Sequence, residues 1–384
     1  MKFSSVTLAI GFFAMTVACG PTQPTASGKN IGDQDTGGGG VAGGPTQPTA
    51  SGGSESASGG SESASGGSES ASGGSESEDG DGGSPAAWSP GDYPPDVNAQ
   101  TYLEISGVSG QGDRVRQYKV HVPPSYDPRV PAPLVFCIHG LLQNAVMFCV
   151  AGAALHTKAD QAGFILVMPN GYANSWNGGT CCGAASDERI DDVALFRAIF
   201  AEVSQHLNVD RRRVYATGLS NGAFMSYRLA CQAADLFAAI VPAAGAVGID
   251  SIGGGTNASS DFTECAPAQP VAVLALHGTA DGLVPYQLQA PSLAQMIAGN
   301  ACSTTTMPAT QPRGGGDTNC VTYAGCAKGA EVTACSVSGG GHCWFGSPDC
   351  GTGAGAIGAA VVGANSNTLI NSDEMWSFFE RSMR

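Results

Sequence analysis

Ser220 stands in the pentapeptide Gly218-Leu219-Ser220-Asn221-Gly222, directly after the apolar run VYATG and directly before a helical pattern. A serine on a sharp strand-to-helix turn presents its hydroxyl at the edge of a sheet. The residues two before and two after it must be small, because neighbouring backbone approaches closely there. With 56 glycines in 384 residues, about one such pentapeptide is expected by chance. A helix-capping serine would also look the same locally, so the partners have to decide. A nucleophilic serine needs an imidazole to take its proton and a carboxylate to orient that imidazole.

In a strand–serine–helix arrangement the acid and then the base follow the nucleophile along the chain. His121, His139, His156 and His206 precede Ser220, and His277 precedes the best acid, which leaves His342 in SGGGHCWFG. Its three preceding glycines predict a mobile loop that could reach the serine. The acids between are Asp235, Asp250, Asp261, Glu264, Asp281, Asp317 and Glu331. Asp281, in HGTADGLVPY, follows the apolar strand 271–276 by a short loop and is the best placed, although an ordinary Asp-Gly turn would read alike. The developing oxyanion would need two donors. The N–H of Asn221, at the helix start, is the first. The second is expected from HGLLQNA after the strand 133–138: Leu141, with Leu142 next. His139 is expected to serve that turn structurally.

Elements that could position these residues recur along 92–384. PLVFCIHG, FILVMPNG, VYATG, AAIVPAAG and VAVLALHG are continuous apolar runs suited to strands buried on both faces of a parallel sheet. Tyr102–Val108 and Val115–Val122 alternate as antiparallel edge strands would. The window 188–207 carries Ile190, Val193, Leu195, Phe196, Ile199, Phe200, Val203 and Leu207 on one broad helical face, with Asp191 and Asp192 complementing its dipole. A last helix is predicted from Ser372. The alternation describes an α/β class, a mostly parallel doubly wound sheet with its site at the carboxyl ends of the strands.

The first third is different. Residues 1–18 read as a signal peptide, ending in Thr-Val-Ala before Cys19, a pattern that resembles a bacterial lipobox and predicts a lipidated Cys19. Residues 19–91 hold PTQPTASG twice and SGGSESA three times, with too few apolar side chains to offset ordering entropy. They read as a disordered linker, with a coil reach of about 45 Å. Nine acids and Lys29 between Gly20 and Gly91 account for about half of the formal net charge of -15. That balance excludes a nucleic-acid partner. Twelve further cysteines lie beyond residue 130. An even number in an exported domain favours disulfides over metal, and no C-x-x-C pair is present. Cys326–Cys335 and Cys343–Cys350 are plausible local pairs.

HGLLQNA, WNGGTCCG, IDDVALFRAIF, DRRRVYATGLSNGAFMSYRLAC, HGTADGLVPY and GAEVTACSVSGGGHCW together resemble the secreted poly(3-hydroxybutyrate) depolymerase and feruloyl esterase family, whose relatives include acetylxylan esterases. The resemblance implies an α/β-hydrolase fold over the domain 92–384. It also implies Ser220, Asp281 and His342 as triad, and a serine esterase that needs no cofactor or metal. Trp176 and Trp344 are expected to line the substrate pocket, and Phe345 to border it where proline is common in the family. The expected partner is a polymeric or small ester. Membrane contact is expected only through Cys19 on a bacterial outer membrane, and the protein is expected to be a monomer. A peptidase of the same fold and a non-catalytic surface binding protein are the rival readings.

Overall fold

The computed structural model describes residues 101–252, 261–308, 316–348, 350, 363–366 and 368–384. Cys19, the signal segment and the Gly/Ser-rich linker lie outside the described residues.

Among the described residues, ten strands form one sheet in the order β1-β2-β4-β3-β5-β6-β7-β10-β9-β8. They are β1 Leu103–Ile105, β2 Arg116–His121, β3 Ala132–Ile138, β4 Ile165–Pro169 and β5 Val209–Leu219. The remainder are β6 Ala239–Ala243, β7 Ala272–Gly278, β8 Thr306–Pro308, β9 Thr318–Tyr323 and β10 Val332–Val337. Strands β4, β3, β5, β6, β7 and β10 run parallel. The pairs β1–β2, β2–β4, β9–β10 and β8–β9 are antiparallel. Every residue of β3, β4, β6 and β7 is buried, as their unbroken apolar sequences require when helices cover both faces.

The covering helices are α1 Leu155–Ala162, α2 Ala184–Asp187, α3 Asp192–His206, α4 Asn221–Gln232, α5 Gln289–Gly299 and α6 Asn371–Arg381. Apolar side chains on the two sides of the sheet form two large clusters. The predicted helix over 188–207 is shorter than expected. Arg189 takes a positive φ of 53°, and the Asp191 carboxylate accepts from Ala194 N at 2.9 Å as an N-cap, so α3 starts at Asp192.

Asp192 is more than a dipole complement. It is fully buried and paired with Arg116 of β2 at 3.0 Å, and its other oxygen accepts from Asn177 N at 2.8 Å. Burial pushes its carboxyl up, and Arg116 opposes that rise. Arg228 of α4 donates to Asn177 O at 3.0 Å and pairs with Asp261. This network clamps the segment around Asn177 between β2, α3 and α4.

Six disulfides form: Cys137–Cys149, Cys181–Cys182, Cys231–Cys265, Cys302–Cys326, Cys320–Cys335 and Cys343–Cys350. The expected Cys343–Cys350 pair is present, whereas Cys326–Cys335 is not. Strand register is the reason: Cys320 of β9 lies directly opposite Cys335 of β10, which leaves Cys326 to Cys302.

Candidate active site

Four strands that point the same way, β5, β6, β7 and β10, bring the residues of interest to one rim of the sheet. Ser220 follows β5 with φ 57° and ψ -122°, a conformation that only a tightly held residue keeps. Its N–H donates to Ala243 O at 3.0 Å, and its carbonyl accepts from Ala223 N and Phe224 N. A Cβ on Gly222 would lie 2.1 Å from Ile138 O and 2.6 Å from His139 O. One on Gly218 would lie 2.6 Å from the Gly222 backbone and 2.7 Å from Ile138 O. Both glycines are therefore demanded by the closeness of α4 and the end of β3.

The loop after β3 is a turn with all but one of its inner amides committed. Gly140 N donates to Gln143 Oε1 at 2.9 Å, Gln143 N to Gly140 O at 3.2 Å and Leu142 N to Asn174 O at 2.8 Å. Leu142, at φ 63°, is therefore unavailable as an oxyanion donor. The N–H of Leu141 has no partner among the described residues, and neither does that of Asn221 in the first turn of α4, where helical amides have no internal acceptor. Gly140 sits against Ser220, since a Cβ there would lie 3.5 Å from Ser220 Cβ.

His139 holds this loop. Its ring is fully buried, with Nδ1 2.8 Å from Gly140 O and Nε2 accepting from Gly171 N at 2.9 Å. That pattern requires the neutral ring with its proton on Nδ1. Burial drives its pKa down to about 4. The Asn221 side chain is equally fixed, pairing with Trp176 by N–H to Oδ1 at 2.7 Å and Nδ2–H to O at 2.9 Å.

Asp281 and His342 meet as expected: His342 Nδ1 lies 2.8 Å from Asp281 Oδ2. The carboxylate's other oxygen accepts from Leu283 N and Val284 N, both at 2.9 Å. Burial alone would push Asp281 up. Hydrogen bonds from His277 and His342, with the charge of those rings, outweigh it and hold the carboxyl well below its usual range. His342 Nε2 is buried and makes no hydrogen bond among the described residues, so it is not bonded to Ser220 in this arrangement. Such bonds are often long before substrate binds.

The loop carrying His342 is pinned. Gly340 O accepts from Ala280 N at 2.9 Å, and Gly341 N donates to Ala364 O at 3.1 Å. A Cβ on Gly278 would strike Gly340 O at 2.2 Å. Gly340 has no room for a side chain, since a Cβ there would lie 2.8 Å from Val337 Cγ1 and 2.9 Å from Phe345 Cζ, and Gly339 takes a positive φ of 69°.

Sequence reasoning passed over His277. Its Nε2 lies 2.9 Å from Val284 O and 3.2 Å from Asp281 Oδ2. Both are acceptors, so this nitrogen carries the proton and shares it between them. The signal was the i, i+4 spacing of His277 and Asp281 across a tight loop. The two expected pocket tryptophans are corrected. Trp176 is wholly buried, donates from Nε1 to His139 O at 2.9 Å and packs on Phe196. Trp344 is 3% exposed, edge-on to Phe148, with Nε1 bonded to Ser372 Oγ. Phe345 is also interior. None presents a ring face to a ligand.

One prediction follows for His139. Between its native pKa of about 4 and its unfolded value of about 6.5, the unfolded chain binds the extra proton. Stability should therefore fall as pH drops from about 6.5 to about 4, by up to about 3 kcal/mol. Denaturant titrations at stepped pH check this, and His139→Gln should flatten the slope in that window.

Residues 116–278 match the family described as "Esterase PHB depolymerase". The chain is 29% identical to "Feruloyl esterase B" of Piromyces equi over 59% of its own length and 42% of that protein, so it spans less than half of this relative. It is 31% identical to "Probable feruloyl esterase C" of Aspergillus clavatus, over 56% of this chain and 71% of that protein. Among solved structures, an acetyl xylan esterase from Aspergillus awamori superposes with a TM-score of 0.48 at 15% identity, covering 73% of this chain and 99% of that one. With its ordered motifs, its sheet and a relative above 30% identity over more than two thirds of that relative's length, the chain belongs to the poly(3-hydroxybutyrate) depolymerase and feruloyl esterase family of α/β-hydrolases.

Proposed function

We propose that the protein is a serine esterase that cleaves carboxylic esters through an acyl-enzyme. The observation that carries this reading is the Asp281–His342 hydrogen bond, at the rim where Ser220 is held in its strained turn. Ser220 Oγ attacks the ester carbonyl while His342 Nε2 takes its proton. Asp281, kept ionised, fixes the Nδ1–H tautomer and stabilises the imidazolium as it forms. The amides of Asn221 and Leu141 receive the oxyanion. His342 then protonates the departing alcohol, and water, activated by the same imidazole, frees the acid.

Six disulfides fit an extracellular setting. In this reading the protein is exported and tethered through a lipidated Cys19 and the Gly/Ser-rich linker. A substrate too large to enter the cell suits that placement. The relatives' names point to feruloyl esters, and the family's description points to a hydroxyalkanoate polyester. Acetylated xylan is the alternative within the same chemistry.

A fluorophosphonate probe should label the wild-type protein and not Ser220→Ala; absence of wild-type labelling sinks the esterase reading. Asp281→Asn should lower turnover roughly 10⁴-fold through the wrong imidazole tautomer, and near-normal turnover would move the acid role elsewhere.

His277 acts through Asp281 as a positioning residue. His277→Phe should lower kcat by about tenfold to a hundredfold, the worth of one hydrogen bond to a charged group, with little change in KM. His277→Gln, which can still donate, should recover most of the loss. Equal loss in both variants would mean that the imidazole matters only as packing.

A further inference from the structure

The WNGGTCCG motif contributes more than Trp176. Cys181 and Cys182, adjacent in sequence, are joined to each other. The position of that disulfide is fixed from three sides. Asn221 Nδ2 lies 3.8 Å from Cys181 Sγ, which puts the sulfur beside the residue that follows Ser220. Cys181 packs in one cluster with Phe224, Ala246 and Val284, and Cys182, Ile252 and Leu288 pack against it. Val284 donates its N–H to Asp281, so the same sulfurs adjoin the acid loop. On the third side, a Cβ on Gly183 would lie 2.9 Å from Leu141 Cδ1, so the segment runs along the oxyanion loop. The disulfide therefore lies beside Asn221, the acid loop and the segment that runs along Leu141.

The chemistry of this border is uniform. Leu141, Cys182, Ile252 and Leu288 are each partly exposed, and none of them is charged or carries a hydrogen-bonding side chain other than weak sulfur. Cys181, Phe224 and Val284 are buried behind them. Sulfur is polarisable and makes favourable contacts with aromatic rings. Cys181 touches the side chain of Asn221, whose backbone amide is the proposed oxyanion donor, and the leaving oxygen must face His342 Nε2.

We propose that the acyl group lies on the side of Asn221 and the sulfurs, and that the Cys181–Cys182 disulfide is the specificity-determining wall of the acyl site, selecting esters of large apolar or aromatic acids over acetate. The proposal rests on the assignment of Ser220 as nucleophile. Among the described residues no exposed tryptophan is found beside Ser220, and in this proposal the apolar surface comes from sulfur and aliphatic side chains instead.

The test uses full-length protein and two substrates with one leaving group, 4-nitrophenyl acetate and 4-nitrophenyl ferulate. In the double variant Cys181→Ala/Cys182→Ala, kcat/KM for the feruloyl ester should fall about tenfold more than for the acetyl ester, the scale of a lost apolar contact in a pocket. An equal fall on both substrates would assign the disulfide to holding Asn221 and overturn the proposal, as would an unchanged ratio. Should the double variant fail to fold, Leu288→Ala decides in the same way: the ratio falls if this wall selects the acyl group, and stays unchanged if it does not. A wild-type protein inert towards both esters would sink the esterase reading itself, a result distinct from either of these.

Discussion

Backbone crowding where β5 turns into α4 is the constraint on which the rest of the site depends. Gly218 and Gly222 let the start of α4 pass within contact of Ile138 O and His139 O at the end of β3. No side chain fits at either position, and Ser220 between them takes a positive φ of 57°. The same approach sets the Gly140–Gln143 turn beside Ser220. The amides of Leu141 and Asn221, without a partner among the described residues, are thereby held in this crowded turn. Preorganised donors of this kind need no rearrangement when charge develops.

That crowding would be unstable without an outer support, and buried polar groups supply it. Asn221 pairs with the Trp176 backbone, Trp176 donates to His139 O, and His139 bridges Gly140 and Gly171. Asn177, next in sequence, is held by Asp192 and Arg228. Each side-chain polar atom in this series has its partner, which is the condition under which burial of such groups rigidifies a site and does not weaken it. The motif WNGGTCCG is thus scaffold at its start and, in the proposed site, pocket wall at its end.

The parts legible in the sequence were those governed by local pattern. Apolar runs ending in glycine marked β3, β4, β5, β6 and β7, and chain order after Ser220 singled out Asp281 and His342. The parts that were not legible depend on packing between distant segments. The burial of Trp176 and Trp344 is decided by what covers them, and no periodicity encodes that. The Cys320–Cys335 bond follows from the register of β9 on β10, which six crowded cysteines leave open. Glycines before His342 suggested mobility, whereas Gly340 is crowded by Val337 and Phe345 and Gly339 has a positive φ; glycines needed for close approach, for backbone conformation and for freedom look alike in a string of residues. His277 was set aside for preceding the acid, although the loop returns Asp281 directly to it.

Two imidazoles on one carboxylate have different chemistry because of what else each touches. His277 spends its Nε2 proton on Val284 O and Asp281 together, and its buried ring stands edge-on to Tyr286. Loss of that proton would leave two acceptors facing a lone pair, so His277 is locked as a donor. His342 meets the same Asp281 oxygen through Nδ1, which leaves Nε2 without an acceptor or donor among the described residues. Only the second ring can exchange a proton without breaking its anchor. The proposed division of labour between them follows from hydrogen-bond topology: which nitrogen the carboxylate occupies decides whether the other nitrogen is committed or open.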